Sequence, residues 1–275
     1  MAVITLTSDY GLVDYRVAAI KGAITSLNEG VKVIDITHDI QAYDLKQAAY
    51  IVRDAYKHFP KGSVHIISVD SFYRKEVKSL VYKVDGHYFI SADNGILSLV
   101  FPDINPEGIY EITFNNRFDD VVNLLSVDVF APIAVHLCSG GLPEVIGRSF
   151  SNPKELKLPI PTYKTQEKMI IGEVIYIDNF GNVVTNISKD LFMRTKAGFS
   201  DFKIKFRTLS LSKIYNYYTE FITNWEEEQD GVGKAVAVFN NRELLEITIY
   251  KGMKTNGAQS LLGLSVGERV YIEYC

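Results

Sequence analysis

The chain has 275 residues, of which 47 % are hydrophobic, 12 % aromatic and 23 % charged, a composition typical of a globular protein large enough for two domains. Its formal net charge of −4 lacks the basic field that proteins use to attract nucleic acid, and no apolar run approaches the roughly 18 residues needed to span a bilayer. We therefore expect neither a nucleic-acid partner nor a membrane partner.

The cysteines and the first residues of the chain indicate its compartment. Cys138 and Cys275 are too few for a disulfide framework. The chain enters an apolar strand pattern directly, without the basic segment and cleavage site of a secretory signal. We expect a cytoplasmic protein.

Strand and helix patterns alternate along the first half of the chain. Apolar runs predict strands at 3–7, 31–36 and 63–69, and helical spacing of apolar residues predicts helices at 15–27 and 45–59. This order is typical of a parallel sheet covered by helices, in which ligands bind at the carboxyl ends of the strands.

Polar residues follow each of the three predicted strands. They are Ser8-Asp9, Thr37-His38-Asp39 and the pair Ser68 and Asp70. Because the carboxyl ends of parallel strands meet at one edge of a sheet, we expect these side chains to share a site. His38 is the histidine that its position places there, whereas His65 and His136 lie in apolar patterns typical of core residues.

The pattern changes after the first half. A hairpin is predicted at 80–84 and 88–90, a helix start at Asp93-Asn94-Gly95, and a helix at 129–138. Residues 153–168 contain three prolines and no periodicity, which is typical of a linker. Short alternating strands then follow, at 170–177, 183–187, 202–206, 235–239, 244–249 and 269–274.

These patterns predict two domains. We expect residues 1–152 to form a ligand-binding α/β domain with a central, mainly parallel sheet. Residues 153–168 link it to an all-β, barrel-like domain at 169–275.

The turn between two apolar runs at 178–186 carries an unusual set of side chains. Asp178 offers an anion for an amine, Phe180 a flat apolar face, and Asn182 and Asn186 carboxamides that can bind the edge of a heterocycle. Asn, Asp and Gly are also favoured in ordinary hairpin turns. The segment alone leaves both interpretations open.

Several common catalytic motifs are missing. The sequence has no GxGxxG after the first strand, no GxxxxGK[ST], no HExxH, no GxSxG and no Cys/His cluster at metal-ligand spacing. We therefore expect no metal and no cofactor.

The strand-end segments together resemble a known family, the S-adenosylmethionine hydroxide adenosyltransferases, which are homologous to fluorinases and chlorinases that use the same substrate. The resemblance covers nearly the whole chain in the same order. Its segments are 4–11, 33–40, 59–65, 93–97, 128–132, 179–182 and 262–267.

The resemblance implies a homotrimer, in which the C-terminal domain of one subunit completes the site of the next. It also implies displacement at the ribose C5′ of S-adenosylmethionine, with methionine as the leaving group. Because the sulfonium already activates that leaving group, neither metal nor acid is needed. The protein has to hold a desolvated nucleophile about 3–3.5 Å from the carbon.

For the nucleoside, the resemblance carries roles over to four positions. Asp9 would accept hydrogen bonds from both ribose hydroxyls, Tyr43 would lie near the sulfonium methyl group, and Phe180 and Asn182 would hold adenine. As an alternative, Asp9 could cap a helix that begins near Val13.

For the methionine, Asp178 would hold the amine and Arg242 the carboxylate, a pairing that guanidinium geometry favours. Asn241 stands where the family has a serine. Asn94, in the Asp-Asn-Gly segment, is a further candidate for substrate binding.

The catalytic positions depart from the family pattern. Hydroxide-transferring members use an Asp-Arg-His set to orient or deprotonate water. Asp70 matches the aspartate, but the arginine position falls on Val77 and the histidine position on Leu125.

Three further residues are candidates for the catalytic step. Arg74 and Lys75 could supply a cation from a shifted loop. Ser126 falls where fluorinases bind halide with a serine, although a hydroxyl there could equally cap a helix before Asp128.

Three functions remain open at this point. The chain could hydrolyse S-adenosylmethionine slowly to adenosine and L-methionine, because losing a general base costs on the order of 10²–10⁴-fold in rate. It could instead be a non-catalytic protein or sensor that binds S-adenosylmethionine or adenosine. It could also be a halogenase, whose anionic nucleophile needs no base.

Overall fold

The computed structural model describes residues 2–113 and 122–275. The chain divides into two compact units, Met1–Leu158 and Pro159–Cys275. The boundary falls inside the segment 153–168, for which the sequence predicts a linker.

Seven strands form one sheet in the described part of the first unit, in the order β2-β1-β3-β5-β4-β6-β7. The strands are β1 (Ile4–Ser8), β2 (Val33–Thr37), β3 (Val64–Ser68), β4 (Ser79–Val84), β5 (His87–Ala92), β6 (Gly108–Ile112) and β7 (Gly147–Ser149). Every side chain of β1 and β3 is buried, because helices cover both faces at the centre of the sheet.

The sheet is parallel on one side and antiparallel on the other. Strands β2, β1, β3 and β5 pair in parallel, as the βαβαβ pattern predicts. The hairpin of β4 and β5, with β6 and β7 beyond it, extends the sheet with antiparallel pairs. The α/β class is confirmed, and the complete sheet is mixed because the hairpin reverses the strand direction.

The helices of the first unit enclose two hydrophobic clusters. They are α1 (Arg16–Leu27), α2 (Leu45–Ala55), α3 (Ile96–Val100), α4 (Ala131–Cys138) and α5 (Pro143–Ile146). Helices α1 and α4 contribute to one cluster, and α2 and α3 to the other. A π-helical turn at Ser126–Phe130 leads directly into α4.

The segment 153–168 is held by both of its ends. In the first unit, the Lys154 amide donates to Asp93 Oδ1 at 2.8 Å and the Leu156 amide donates to Ser98 Oγ at 2.8 Å. In the second unit, Thr162–Lys164 forms a strand, β8, that pairs with the next strand. The prolines exclude a helix of its own, yet the segment gains order by pairing with existing structure.

The described strands of the second unit form an antiparallel, barrel-like sheet, as predicted. After β8 they are β9 (Met169–Ile177), β10 (Val183–Ser188), β11 (Phe202–Phe206), β12 (Leu209–Leu211), β13 (Ala235–Phe239), β14 (Leu244–Ile249) and β15 (Arg269–Tyr274). Their order is β12-β11-β15-β9-β10-β14-β13, and the end strands β12 and β13 approach each other. Two helices, α6 (Lys189–Lys196) and α7 (Ala258–Leu262), accompany it.

Alternate residues of these strands fill the interior. Ile170 and Val174 of β9, and Leu245 and Ile247 of β14, belong to one buried cluster, because successive strand residues point to opposite faces. Within the described residues, we find no helix long and apolar enough to cross a bilayer.

Candidate functional site

The carboxylate of Asp9 connects the carboxyl ends of three adjacent strands. Asp9 follows β1, and its Oδ2 accepts hydrogen bonds from the amide of Tyr43 at 3.0 Å and the amide of Asp70 at 3.3 Å. Tyr43 lies beyond β2 and Asp70 beyond β3. Asp9 is not a helix cap, because α1 begins only at Arg16 with Tyr15 before it.

Two of these residues have unusual backbone angles. Tyr43 has a φ of 67° and Asp70 a φ of 46°, values that cost a non-glycine residue of order 1–3 kcal/mol. The hydrogen bonds that their amides donate to Asp9 hold both peptides in place. The Tyr43 ring is exposed and lies 5.9 Å from the Phe72 ring, centroid to centroid.

Asn94 lies behind Asp70. Its Nδ2 donates to the carbonyls of Val69 at 2.9 Å and Asp70 at 3.2 Å, and its Oδ1 accepts from the Ile96 amide at 3.1 Å. The residue is 7 % exposed. Its amide group therefore positions the backbone of Asp70 and the start of α3.

A buried histidine supports the turn that carries Asp9. His38 Nδ1 lies 2.7 Å from Ser8 Oγ, which in turn accepts from the Tyr10 amide at 3.3 Å. The His38 carbonyl accepts from the Gly11 amide at 2.8 Å. Its Nε2 lies 3.2 Å from Asp35 Oδ1 without the alignment of a hydrogen bond. The sequence prediction that His38 belongs to this edge of the sheet is confirmed.

The neighbouring Asp35 remains ionised over a wider pH range than usual. Partial burial would raise the pKa of its carboxyl, but the hydrogen bond from Lys21 and the nearby His38 ring outweigh that effect and lower it. The Lys21 ammonium lies 2.6 Å from Asp35 Oδ2. A fixed negative charge thus faces the His38 ring.

Four hydroxyl groups gather at the carboxyl end of β3. The Tyr10 hydroxyl lies 2.9 Å from Ser126 Oγ and 3.3 Å from Ser71 Oγ, and Ser126 Oγ donates to Ser68 Oγ at 2.8 Å. Ser126 is fully buried at the start of the π-helical turn. The sequence singled out Ser126 and Ser68 but missed Tyr10 and Ser71, whose only signal was their closeness in sequence to the two strand-end aspartates.

The cation candidates lie apart from the core. Arg74 and Lys75 are exposed on the segment after Ser71. The next cation along the chain, Lys78, binds Glu111 Oε2 at 2.9 Å. The two positions that would hold arginine and histidine are apolar, since Val77 packs against the hydrophobic cluster and Leu125 is only 6 % exposed within it.

In the second unit, Asp178 organises the turn between β9 and β10. Its Oδ1 accepts from the amides of Phe180 and Asn182, both at 2.8 Å, and its Oδ2 accepts from Asn182 Nδ2 at 2.9 Å. Gly181 has a φ of +77°, which this turn requires. The hairpin interpretation is thus correct as a description of the backbone, while Phe180 remains 61 % exposed.

Two hydrogen bonds from other segments of the second unit fix the turn. Thr248 Oγ1 donates to Asn182 Oδ1, and the Gln259 amide donates to the Gly181 carbonyl at 2.9 Å. Gly257 lies so close that a Cβ there would overlap the Phe180 carbonyl oxygen. Asn186 lies further along β10 and bonds only to backbone groups, the Glu173 amide and the Pro159 carbonyl.

The loop between β13 and β14 carries Asn241 and Arg242. Asn240 Oδ1 accepts from the amides of Arg242 at 3.0 Å and Leu244 at 3.2 Å, which shapes the loop. Asn241 is exposed and Arg242 half-buried. Burial raises the pKa of Glu246, despite a hydrogen bond from Asn240 Nδ2 at 3.1 Å. The sequence did not indicate Glu246, because a single carboxylate in an alternating strand carries no signal.

The described residues contain no group of three or more His, Cys, Asp or Glu arranged to hold a metal ion. Their chemistry is that of carboxylates, hydroxyls, amides and aromatic rings. Such groups can bind a polyol, a heterocycle and a cation.

Comparison with known proteins places this geometry in a family. The SAM hydroxide adenosyltransferase N-terminal domain model matches residues 4–147, and the corresponding C-terminal domain model matches residues 172–271. Both units are therefore represented.

Curated relatives match over most of the chain. A protein named (R)-S-adenosyl-L-methionine hydrolase from Methanocaldococcus jannaschii is 28 % identical over 99 % of this chain and 96 % of its own length. One with the same name from Thermus thermophilus is 27 % identical over 94 % and 95 %. A fluorinase from Actinoplanes is 24 % identical over 68 % and 72 %.

Solved structures share the fold. An uncharacterized conserved protein from Thermotoga maritima superposes with a TM-score of 0.84 at 26 % identity, covering 98 % of this chain and 100 % of that one. A conserved hypothetical protein from Thermus thermophilus gives a TM-score of 0.72 at 24 % identity, covering 100 % of both chains.

Proposed function

Because the chain belongs to the SAM hydroxide adenosyltransferase family, we propose that it cleaves S-adenosyl-L-methionine with water at the ribose C5′, releasing adenosine and L-methionine. The observation that carries the proposal is that Asp9, which follows β1, accepts hydrogen bonds from the segments after β2 and β3. One carboxylate thus links the ends of three strands. Relatives named (R)-S-adenosyl-L-methionine hydrolase match nearly the whole chain. We therefore propose the (R) epimer of S-adenosyl-L-methionine as the substrate of this protein as well.

Asp9 is the proposed ribose ligand. Both hydrogen bonds that it makes with described residues use Oδ2, which leaves Oδ1 to accept from the ribose hydroxyls. The same carboxylate therefore fixes the loops after β2 and β3 and binds the sugar. Tyr43, positioned by this contact, would place its exposed ring near the sulfonium, since an aromatic face attracts a cation.

The remaining ligand contacts come from the second unit. Phe180 would stack on adenine and Asn182 would bind its edge. Asp178 would accept from the methionine ammonium with the remaining capacity of Oδ2. Arg242, with Asn241 beside it, would bind the methionine carboxylate.

The chemical step needs little assistance from acid or metal. The sulfonium leaves as a neutral thioether, so the protein has to align water with the C5′–S bond and exclude other solvent. Asp70 is held by Asp9 and Asn94 and would accept the proton of the attacking water. Arg74 or Lys75, which lie on the exposed loop, would supply a positive charge to the site. No resident cofactor takes part.

We also propose that the protein is a cytoplasmic homotrimer in which the second unit of one subunit completes the site of the next. The support is the family membership. Size-exclusion chromatography with light scattering tests it directly: three times the chain mass is expected, and a monomeric mass at micromolar concentration contradicts it.

The function is tested by incubating the purified protein with each sulfonium epimer and resolving the products by chromatography. Adenosine and methionine from the (R) epimer are expected. Intact but bound substrate would instead favour a binding protein or sensor, and a 5′-halogenated nucleoside in the presence of halide would favour a halogenase.

A matched pair of variants tests the site in the same assay. Asp9→Asn should lose activity. Asp103→Asn makes the same change at an exposed aspartate of the same unit, which binds Arg53, and should keep it. Equal activity in the two variants contradicts the proposed site.

A further inference from the structure

Four hydroxyl groups form a continuous chain at the carboxyl ends of β1 and β3. The Tyr10 hydroxyl contacts Ser71 Oγ and Ser126 Oγ, and Ser126 Oγ contacts Ser68 Oγ. The three serines are buried, where polar groups are costly unless they are hydrogen-bonded. We call this set the hydroxyl chain.

Counting protons gives the hydroxyl chain a direction. Each hydroxyl has one proton to donate. Ser126 donates to Ser68, so the Tyr10 hydroxyl must donate to Ser126. The Tyr10 proton is then used, and Ser71 must donate to Tyr10. The direction is thus Ser71 to Tyr10 to Ser126 to Ser68, and the lone pairs of Ser71, which accept from no described residue, lie at the accepting end.

The accepting end belongs to the chain neighbour of the proposed catalytic aspartate. Ser71 follows Asp70 in the chain, and Asp70 is held in place by Asp9 and Asn94. Ser126, the third member of the hydroxyl chain, begins the π-helical turn, a kind of irregularity found frequently at functional sites. A water molecule at the accepting end would meet the Ser71 oxygen as an acceptor of fixed direction, on the residue that follows Asp70.

The family's two other catalytic positions cannot supply that orientation. Val77 and Leu125 offer only apolar contacts. Something else must hold the water if this chain turns over its substrate.

On the premise of the proposed function, we propose that the hydroxyl chain positions the attacking water and that Tyr10 is the residue that sets its geometry. The water donates one proton to Ser71 Oγ in a hydrogen bond and directs a lone pair at C5′. Its oxygen bonds to C5′ while the C5′–S bond breaks and its electron pair passes to sulfur. The second proton of the water goes to the Asp70 carboxylate. Adenosine, methionine and one proton result.

Tyr10→Phe tests the proposal, because it removes one hydroxyl and keeps the ring. We expect kcat to fall roughly tenfold to a hundredfold from misalignment of the water, while KM and the affinity for adenosine stay unchanged. Tyr110→Phe is the matched control, since it removes a hydroxyl that binds Glu144 at 2.8 Å elsewhere in the same unit. Its kcat should equal that of the parent.

Ser126→Ala provides a second, independent measurement. Because both substitutions interrupt the same chain, the double variant should lose little more than the worse single variant. A Tyr10→Phe protein with parental kcat, or with a raised KM that accounts for the whole loss, overturns the proposal while leaving the proposed function intact. A parent protein that binds but never cleaves the substrate overturns both.

Discussion

Replacing Asp9 with asparagine separates the two roles of this carboxylate. Oδ2 holds the amides of Tyr43 and Asp70, and asparagine keeps one oxygen for them. The variant loses the charge and the second accepting oxygen, on which the ribose hydroxyls depend in our account. Hydrogen bonds to a charged group contribute about 1.5–3 kcal/mol each, so losing two costs about 3 kcal/mol or more, which is a more than hundredfold weaker Kd.

Isothermal titration with adenosine measures this loss directly, because adenosine carries the ribose but no bond to be cleaved. Asp103→Asn should bind adenosine as the parent does. The thermal unfolding midpoint of Asp9→Asn should stay close to the parental value, since its backbone contacts remain. An Asp9→Asn protein that binds adenosine as tightly as the parent refutes the assignment of Asp9 to the ribose.

Further predictions concern acid stability and the turn of the second unit. Burial, with a smaller contribution from His87, lowers the pKa of His65 to about 3 from the ordinary 6.5. As pH falls, His65 therefore takes up a proton in the unfolded chain before it does so in the folded protein. The free energy of unfolding then decreases between about pH 6.5 and pH 3, by up to about 1.4 kcal/mol per pH unit. Urea unfolding across that window should show a smaller pH slope in His65→Gln, and an unchanged slope contradicts the reasoning. Gly257→Ala should displace the Phe180 carbonyl and weaken adenosine binding severalfold in titration. Gly22→Ala is its control in open space on α1; it should stabilise the protein by roughly 0.5–1 kcal/mol and leave binding unchanged. Equal binding by the two alanine variants would argue against a role for the turn.

The parallel part of the first unit was predictable because its central strands, β1 and β3, are buried on both faces. Short runs rich in β-branched residues, such as Ile4–Ser8 and Val64–Ser68, favour strands, and the turns after them carried further polar residues. The antiparallel extension of the sheet was harder to predict. Strands β6 and β7 are short and mostly half-buried or exposed, and their pairing depends on contacts between distant parts of the chain.

The site was predictable where one residue type suited one task. Asp9 was predicted to belong to the strand-end cluster because it is a carboxylate that follows a central strand, and the structure places it there. The sequence could not show that Asn94 binds backbone groups on both sides, because an amide suits a ligand and a loop equally well.

The hydroxyl chain lay beyond the reach of sequence patterns. Tyr10, Ser71 and Ser126 come from three separate segments, and serine and tyrosine are common in loops and turns. Only the folded structure brings their oxygens within hydrogen-bond distance. The sequence showed that Val77 and Leu125 depart from the family pattern, but it did not show the hydroxyl chain at the end of β3.

Hydrolysis in ¹⁸O-labelled water tests the central claim most directly, because it reports which carbon the water attacks. Our account predicts that the adenosine product carries one heavy oxygen at its 5′ position and that methionine carries none, as read by mass spectrometry of the separated products. Unlabelled adenosine, label in the amino-acid product, or S-adenosylmethionine recovered intact would contradict it.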